Sequence, residues 1–302
     1  MQYKGGSIIK NLRKDMGISQ EELAKRLSMS QRQLSRVENG EAELDWLEFT
    51  LAFQALLGLF NTDFWIMYLD YDEFLGYRQY QSIREHIKNG LSQEARAALT
   101  SLEQSPLVKQ PFMAQFVLAM GFILDEMDDE SRKRGLYEAL SMSIADFDIS
   151  KIDSYAFNYN EVLIINELAL VHSRTGSLGL AIDMLYSICN GAKAKRLRVS
   201  KTDEKLLYPM PMVNLYRLLI LEGRYGEAAS ICETALESGL NVTNLRFHPE
   251  STYALALCLK HMGKPQDDYL PLLRRAYHGA CGLGQNELAK EVKEAYNEAI
   301  GK

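Results

Sequence analysis

The sequence predicts an all-α protein in which a small N-terminal helical bundle precedes a long stack of helix pairs. Two short helix patterns, each with a capping residue, lie within residues 18–40 and are separated by a tight turn. The chain holds only seven Pro residues, and no convincing strand alternation follows residue 70. Three later segments each place a glycine between two apolar helix patterns. We expect an N-terminal domain over residues 1–65, a linker over 66–72 and a second domain over 73–302.

The first of the two short helix patterns begins at Ser19, which is a favourable N-cap residue. Glu22 lies three residues later, and this spacing predicts a capping box. Apolar residues at helical spacing then form one inward stripe: Leu23, Ala24 and Leu27.

The second short helix pattern has Ser30 as its N-cap and ends at Asn39-Gly40. Its inward positions are Leu34 and Val37. The N-cap and the four outward residues form the predicted DNA-contact set: Ser30, Gln31, Arg32, Ser35 and Arg36. In the major groove of DNA, Gln pairs with adenine and Arg with guanine. This face therefore predicts base recognition, against the alternative of an ordinary solvated face on a small bundle.

Residues 7–57 resemble the helix-turn-helix of the phage-repressor class, also called the Xre type. The resemblance is carried by the letters Q-E-E-L-A, which open the second helix, and L-S-R-V-E-N-G, which end the third. It implies base-reading roles for three residues: Gln31, Arg32 and Arg36. It also implies a phosphate contact for Gln20, and an Arg13–Glu38 pair that ties the first helix to the third.

Charge is distributed unevenly along the chain. Residues 1–40 hold eight Lys or Arg residues and four acidic residues, which gives +4. The whole chain carries −6, so the remainder carries −10. A basic N-terminal domain on an acidic body concentrates phosphate binding at the N-terminal end.

Catalytic and metal-binding motifs are missing from the sequence. The five His residues show no metal-ligand spacing, and no phosphate loop, nucleophile elbow or paired-carboxylate motif occurs. We therefore expect no enzyme, no cofactor and no metal. The four widely spaced cysteines are expected to be small buried apolar residues: Cys189, Cys232, Cys258 and Cys281. No secretory segment and no apolar run of membrane-spanning length occurs, which predicts a cytoplasmic protein without a membrane partner.

Three later segments align with one another, over residues 166–185, 214–232 and 253–270. In each segment a helix ends at a glycine and a second helix follows: Gly176, Gly223 and Gly263. In the first two segments Ala181 and Ala228 lie five residues after that glycine. A small side chain there lets the paired helices approach each other closely.

These segments resemble tetratricopeptide repeats that are degenerate and longer than the usual length of about 34 residues. Weaker helix pairs precede them over about residues 73–105 and 109–145, and a terminal helix over 286–300 is expected to cap the stack. Each unit of a solenoid buries its core against its neighbours, so the succession favours a right-handed helical solenoid over a generic helical bundle.

The first helix of each pair lines the concave wall of such a solenoid, and such grooves usually bind peptides. Counting back from the glycines gives the predicted peptide-contact residues, which we call the wall: Asn166, Leu170, Ser173, Met210, Val213, Asn214, Arg217, Tyr253, Leu257 and Lys260. Asn donates and accepts at once, so Asn166 and Asn214 suit a peptide backbone, although a surface or capping role is equally open. Arg217 either holds a peptide carboxylate or pairs with a nearby Glu.

A repressor-type domain followed directly by such repeats resembles the peptide-pheromone-responsive regulators of Gram-positive bacteria, the PlcR, Rgg and PrgX group. The resemblance implies a homodimer on a two-fold symmetric double-stranded DNA operator, with a short oligopeptide bound to the repeats. The expected function is a cytoplasmic transcription regulator whose operator binding is gated by that peptide. Four alternatives remain: a constitutive or phage-type repressor whose repeats only dimerise, a sensor of another ligand, a repeat scaffold that sequesters a protein and, least favoured, an enzyme.

The apolar face of the last helix also carries an expectation about assembly. Leu288, Val292 and Tyr296 are spaced by four residues and lie on one face. We expect this face to dock onto a partner subunit or onto the preceding repeat.

Overall fold

The computed structural model describes residues 3–57, 66, 68–193, 209–239 and 246–301. Every regular element among these residues is a helix, which confirms the predicted all-α class. Contacts divide the chain into two compact units, Met1–Val117 (unit 1) and Leu118–Lys302 (unit 2). The domain boundaries placed at residues 65 and 73 stay predictions.

Unit 1 begins with four short helices, which together form the head (residues 3–57). Its helices are α1 (Gly5–Asp15), α2 (Gln20–Arg26), α3 (Gln31–Glu38), α4 (Trp46–Leu57), α5 (Tyr71–Asn89) and α6 (Ser92–Glu103), followed by a 3-10 turn (Pro106–Lys109). Helix α7 (Pro111–Leu124) begins in unit 1 and ends in unit 2.

The core of the head forms where α1 crosses α3 and α4. Ile8, Leu34 and Phe49 are fully buried there, and Val37 is nearly so. A Cβ on Gly6 would lie 1.9 Å from the carbonyl oxygen of Val37. Glycine at position 6 therefore permits the close approach of α1 to the end of α3.

Within unit 1 the head is attached to the start of α5. The rings of Phe53 and Phe74 meet edge to face with centroids 5.4 Å apart. The Lys4 ammonium lies 3.5 Å from the Glu73 carboxylate and 3.6 Å from that of Asp70. Asp70 and Glu73 also form the capping box that starts α5. The beginning of this helix is thus stabilised by its own cap and by contacts with the head.

Unit 2 is a succession of helix pairs. After α7 it contains α8 (Asp129–Ser141), α9 (Tyr159–Arg174), α10 (Leu178–Lys193), α11 (Pro209–Leu221), α12 (Tyr225–Gly239), α13 (His248–His261), α14 (Gln266–Gly282) and α15 (Asn286–Ala299). From α8 onward each helix packs against the next one in the chain, and α11 also contacts both α9 and α13. Contacts restricted to neighbouring pairs are typical of a helical repeat stack, so the repeat-like body is confirmed.

The predicted turn glycines end the first helix of each aligned pair. All three have left-handed backbone conformation, with φ of 89° at Gly176, 79° at Gly223 and 71° at Gly263. This conformation strains other residues. Ala181 and Ala228 are both fully buried, as the close approach of paired helices requires.

The last helix, α15, docks onto the preceding repeat. Val292 is fully buried in a cluster with Tyr253 and Leu273, and Leu288 and Tyr296 pack against that cluster. Of the two predicted docking partners, the structure shows the one within the same chain.

Three of the four cysteines are buried as expected. The expectation was wrong for Cys281, which is exposed because it lies near the end of α14 and off the buried face formed by Leu273, Ala276 and Ala280. Among the described residues, no helix has the length and apolar character needed to cross a membrane.

We expect Gly6→Ala to destabilise the head by about 1–3 kcal/mol, since the added methyl group meets the backbone of Val37 and α1 must shift. Native-state hydrogen exchange of the α3 amides measures the free energy of local opening. Gly179→Ala in α10 is the matched control, because a Cβ there meets no described atom within 4 Å. Equal protection of α3 in both variants would contradict the close-approach argument.

Candidate functional site

Helix α3 starts with a capping box that the sequence analysis did not identify. The Ser30 N–H donates to Gln33 Oε1 at 2.8 Å, and the Gln33 N–H donates to Ser30 Oγ at 3.2 Å. The box predicted for Ser19 and Glu22 was half right. Ser19 Oγ accepts the Glu22 N–H at 3.1 Å, but the Glu22 carboxylate pairs with Arg26 one turn later.

The structure brings all six predicted DNA-contact residues to one concave surface. Gln20, Ser30, Gln31, Arg32, Ser35 and Arg36 line this surface together with Gln33, Asn39 and Glu41. We call the four outward residues of α3 the reading face: Gln31, Arg32, Ser35 and Arg36. Three of them are exposed, and Ser35 is half-buried. Their opposite neighbours Leu34 and Val37 are buried, as the helical spacing predicts.

A buried ion pair holds α3 against α1. Arg13 Nε donates to Glu38 Oε1 at 2.6 Å, and a second guanidinium nitrogen of Arg13 donates to Glu38 Oε2 at 2.8 Å. The remaining terminal nitrogen of Arg13 donates to the carbonyl oxygen of Ile18 at 2.8 Å. Arg13 is 8% exposed and Glu38 is 4% exposed. This bidentate geometry confirms the predicted Arg13–Glu38 pair and fixes the rotation of α3.

Gln20 takes part in the same network. Its Nε2 donates to Glu38 Oε2 at 2.7 Å, so the predicted phosphate-contact residue also has a structural partner. Burial by itself raises the pKa of the Glu38 carboxyl. The hydrogen bonds from Arg13 and Gln20, together with the charges of Arg13 and Lys10, outweigh burial and lower that pKa below its ordinary value. The carboxylate is therefore ionised at neutral pH.

Two polar contacts lie beside the reading face, one made by Asn39 and the other by Arg36. The Lys10 ammonium donates to Asn39 Oδ1 at 3.1 Å, and the Arg36 guanidinium approaches the carbonyl oxygen of Glu41 at 3.5 Å. From the sequence, Asn39 was predicted only as the end of α3, but it also lines the concave surface. The signal that would have found it is its position one turn after Ser35, on the same side of the helix.

The structure places Asn166 and Asn214 against each other. Asn214 Nδ2 donates to Asn166 Oδ1 at 3.0 Å, and Asn166 Nδ2 approaches the sulfur of Met210 at 3.6 Å. Both Asn residues are nearly buried. Contact of these two amides with two separate peptide groups therefore needs this mutual bond to break.

Other wall residues also have partners within unit 2. Arg217 Nε donates to Glu250 Oε1 at 2.6 Å, which is the second of the two roles considered for it. Tyr253 is buried in the cluster with α15, and Leu257 packs against the same cluster. The Lys260 ammonium lies 3.2 Å from the Glu298 carboxylate. Val213 is 2% exposed, because the neighbouring helices cover it. Leu170, Ser173 and Met210 remain half-exposed.

The chain resembles known proteins by sequence over its N-terminal residues and by structure over nearly its whole length. The helix-turn-helix family matches residues 9–45, which run from within α1 to the residue before α4. No curated protein sequence matches the chain.

Solved structures match nearly the whole chain. Bacillus thuringiensis PlcR, in complex with the peptide PapR7 and DNA, is 17% identical with a TM-score of 0.59, covering 96% of this chain and 99% of that chain. ComR from Streptococcus vestibularis, in complex with its cognate signalling peptide XIP, is 15% identical with a TM-score of 0.51, covering 99% of each chain. ComR from S. thermophilus, with DNA and its signalling peptide, is 14% identical with a TM-score of 0.50, covering 98% and 99%. The chain shares the fold of these proteins.

We expect the Arg13–Glu38 pair to show a large coupling energy in a double-mutant cycle of Arg13→Met and Glu38→Gln. Each single substitution leaves one buried partner uncompensated, which costs about 3–5 kcal/mol. Hydrogen exchange of the α3 amides in the full-length protein measures this. The exposed pair Arg224–Glu227, measured in the same way through the amides of α12, is the control, for which about 0–1 kcal/mol is expected. A coupling no larger than that of the control would contradict the assignment.

The same coupling has a predicted pH dependence. The pKa of Glu38 is lowered on folding, so the pair's contribution is fully present above the ordinary Glu value of about 4.3. It is lost as pH falls through the lower pKa of the folded state. Repeating the cycle at neutral pH and at successively lower pH tests this, and a coupling that grows on acidification would contradict the direction.

Proposed function

We propose that the chain is a DNA-binding transcription regulator whose operator binding is gated by a short peptide bound to unit 2. The observation that carries the proposal is the single concave surface formed by all six predicted DNA-contact residues. The shared fold adds support, since PlcR and ComR have been solved with DNA and with signalling peptides. The proposed setting is the cytoplasm, where such a protein meets its operator.

The reading face suits the major groove. Arg32 makes no hydrogen bond or ion pair with any other described residue, and Arg36 has only the long contact with a carbonyl oxygen. Both guanidinium groups are therefore available for the O6 and N7 acceptors of guanine, and the Gln31 amide for adenine. The capped start of α3 adds a partial positive charge that favours nearby phosphates.

A single reading face contacts too few bases for useful specificity, so we propose a homodimer on a two-fold symmetric operator. Because α15 is packed on the preceding repeat, the surface for a partner subunit lies on residues other than the buried face of Val292.

For the peptide we propose the part of the wall around the Asn166–Asn214 pair. The half-exposed side chains of Leu170 and Met210 flank the pair and supply apolar contact area. Beyond the mutual bond Asn214 keeps one amide hydrogen and its carbonyl oxygen, so the pair can address a single peptide group without opening. Addressing two separate groups requires the mutual bond to open.

We expect Gln31→Ala and Arg36→Ala to lower specific operator affinity by about 1–3 kcal/mol each and to spare non-specific binding. The operator is first selected with the parent protein from random duplexes. Mobility shifts on that operator and on a scrambled duplex then measure both affinities. Gln20→Ala serves as the contrast, since loss of a phosphate contact weakens both duplexes alike. Equal losses on the two duplexes for Arg36→Ala would remove the base-reading assignment.

We expect Asn166→Ala and Asn214→Ala each to weaken peptide binding by about 1–3 kcal/mol, because buried peptide groups lose a partner. Calorimetry uses an extended, mostly apolar heptapeptide selected on the full-length parent. Asn286→Ala, at an exposed position at the start of α15 outside the wall, is the matched control and should leave binding unchanged. Parental affinity in both Asn variants would place the peptide elsewhere.

A constitutive repressor is the second candidate, and a specific observation favours it. The Asn166–Asn214 bond and the Arg217–Glu250 pair satisfy polar wall residues without any ligand. If no peptide from a displayed library or from short reading frames beside the gene binds, while the operator binds tightly, this candidate takes precedence.

A further inference from the structure

A cleft in the last repeats shares no lining residue with the wall. It runs along α14 between the first turn of α13 and the end of α15, and encloses about 900 Å³. Small-molecule sites usually enclose about 300–1,000 Å³. Asp267, Pro271, Arg274 and His278 recur along α14 at spacings of three or four residues, so one face of the helix lines the cleft.

One end of the cleft is cationic. Arg274 and Arg275 are exposed and form no hydrogen bond or ion pair with any residue in the described part of the chain. His278 lies one turn beyond them, and His248 faces them from the first turn of α13. The 18 residues from Tyr269 to Asn286 contain no Asp or Glu. Four nitrogen-bearing side chains therefore line this end, and Asp267, at the other end, is the only carboxylate among the nine described residues that line the cleft.

The interaction between His248 and Arg275 supports this picture. Burial, and after it the positive charge of Arg275, lower the pKa of His248. No carboxylate acts in the opposite direction on this imidazole. A bound anion would relieve the repulsion between the two side chains.

The other end of the cleft offers acceptors. Asp267 places an exposed carboxylate there. Pro271 lies inside the helix and has no N–H, so the carbonyl oxygen of Asp267 lacks its usual helical donor. Asp267 and Arg274 are seven residues apart, which is about 10 Å at 1.5 Å per residue. Leu270, Pro271 and Tyr296 form an apolar floor between the two ends.

We propose that this cleft binds a small phosphate monoester of the nucleoside monophosphate class. Arg274 and Arg275 hold the dianionic phosphate, with His278 and His248 as further donors. The base of the nucleotide lies against the apolar floor. Asp267 accepts hydrogen bonds from amino or hydroxyl groups of the ligand at the far end of the cleft. The inference is independent of the proposed peptide site, because the two share no residue.

Calorimetry on the full-length protein tests the proposal with three probes: adenosine 5′-monophosphate, inorganic phosphate and adenosine. We expect the nucleotide to bind at least about tenfold more tightly than either fragment, since it alone engages both ends of the cleft. Arg274→Gln combined with Arg275→Gln should weaken nucleotide binding at least about tenfold. Asp267→Asn should weaken binding of the nucleotide and leave inorganic phosphate unchanged.

Lys290→Gln combined with Lys293→Gln is the matched control, because it removes the same charge from exposed positions on α15 that do not line the cleft. Parental nucleotide binding in this control supports the site. Equal losses in the two double variants would show general charge attraction and overturn the proposal. Failure of all three probes to bind at millimolar concentration would also overturn it. Circular dichroism confirms that each variant is folded.

Discussion

The Arg13–Glu38 ion pair is the interaction on which the predicted DNA-contact surface depends. It joins α1 to the last turn of α3 through two short hydrogen bonds, in a setting where both side chains are nearly buried. Such a pair adds little net stability over an apolar pair of the same shape, because desolvation offsets its attraction. Its value here is orientation, since the planar guanidinium permits one geometry and therefore one rotation of α3. That rotation keeps Leu34 inside and the reading face outside.

Local signals explain most of what the sequence predicted correctly. Capping residues, turn glycines and apolar spacing act within a few residues, and they located α3 and the turns at Gly176, Gly223 and Gly263. The Arg13–Glu38 pair came from the resemblance to known helix-turn-helix domains. What the sequence missed depends on competition between nearby partners. Glu22 pairs with Arg26 and does not close a capping box with Ser19, although its position in the sequence permits either partner.

The wall shows the same limit over longer distances. Asn166 and Asn214 were correctly assigned to successive first helices, but the sequence gives no measure of the distance between those helices. At the observed approach of α9 and α11 the two amides bond to each other. Tyr253 has the outward spacing of a ligand contact, yet α15 covers it. Prediction of such contacts requires the packing angle between repeats. Several small residues at each interface set this angle together, so no single motif predicts it.

The hydrogen bonds within the wall have consequences for the proposed peptide gating. A net hydrogen bond contributes about 0.5–1.5 kcal/mol, so a peptide that replaces the Asn166–Asn214 bond gains little from that exchange alone. Its affinity must come from apolar contacts beside the pair. Allosteric coupling between two sites is typically about 1–3 kcal/mol. A change of that size is comparable to a few of the contacts that attach the head to α5, such as those of Lys4 with Asp70 and Glu73.

Peptide gating is tested most directly by the operator dissociation constant of the full-length protein, measured with and without a saturating selected peptide at one salt concentration. Salt is held constant because phosphate contacts make affinity strongly dependent on it. Peptide gating predicts that the dissociation constant changes at least about fivefold, which is the lower end of typical allosteric coupling. It also predicts the same factor in peptide affinity when operator is added first. An operator affinity that is identical with and without bound peptide would contradict peptide gating.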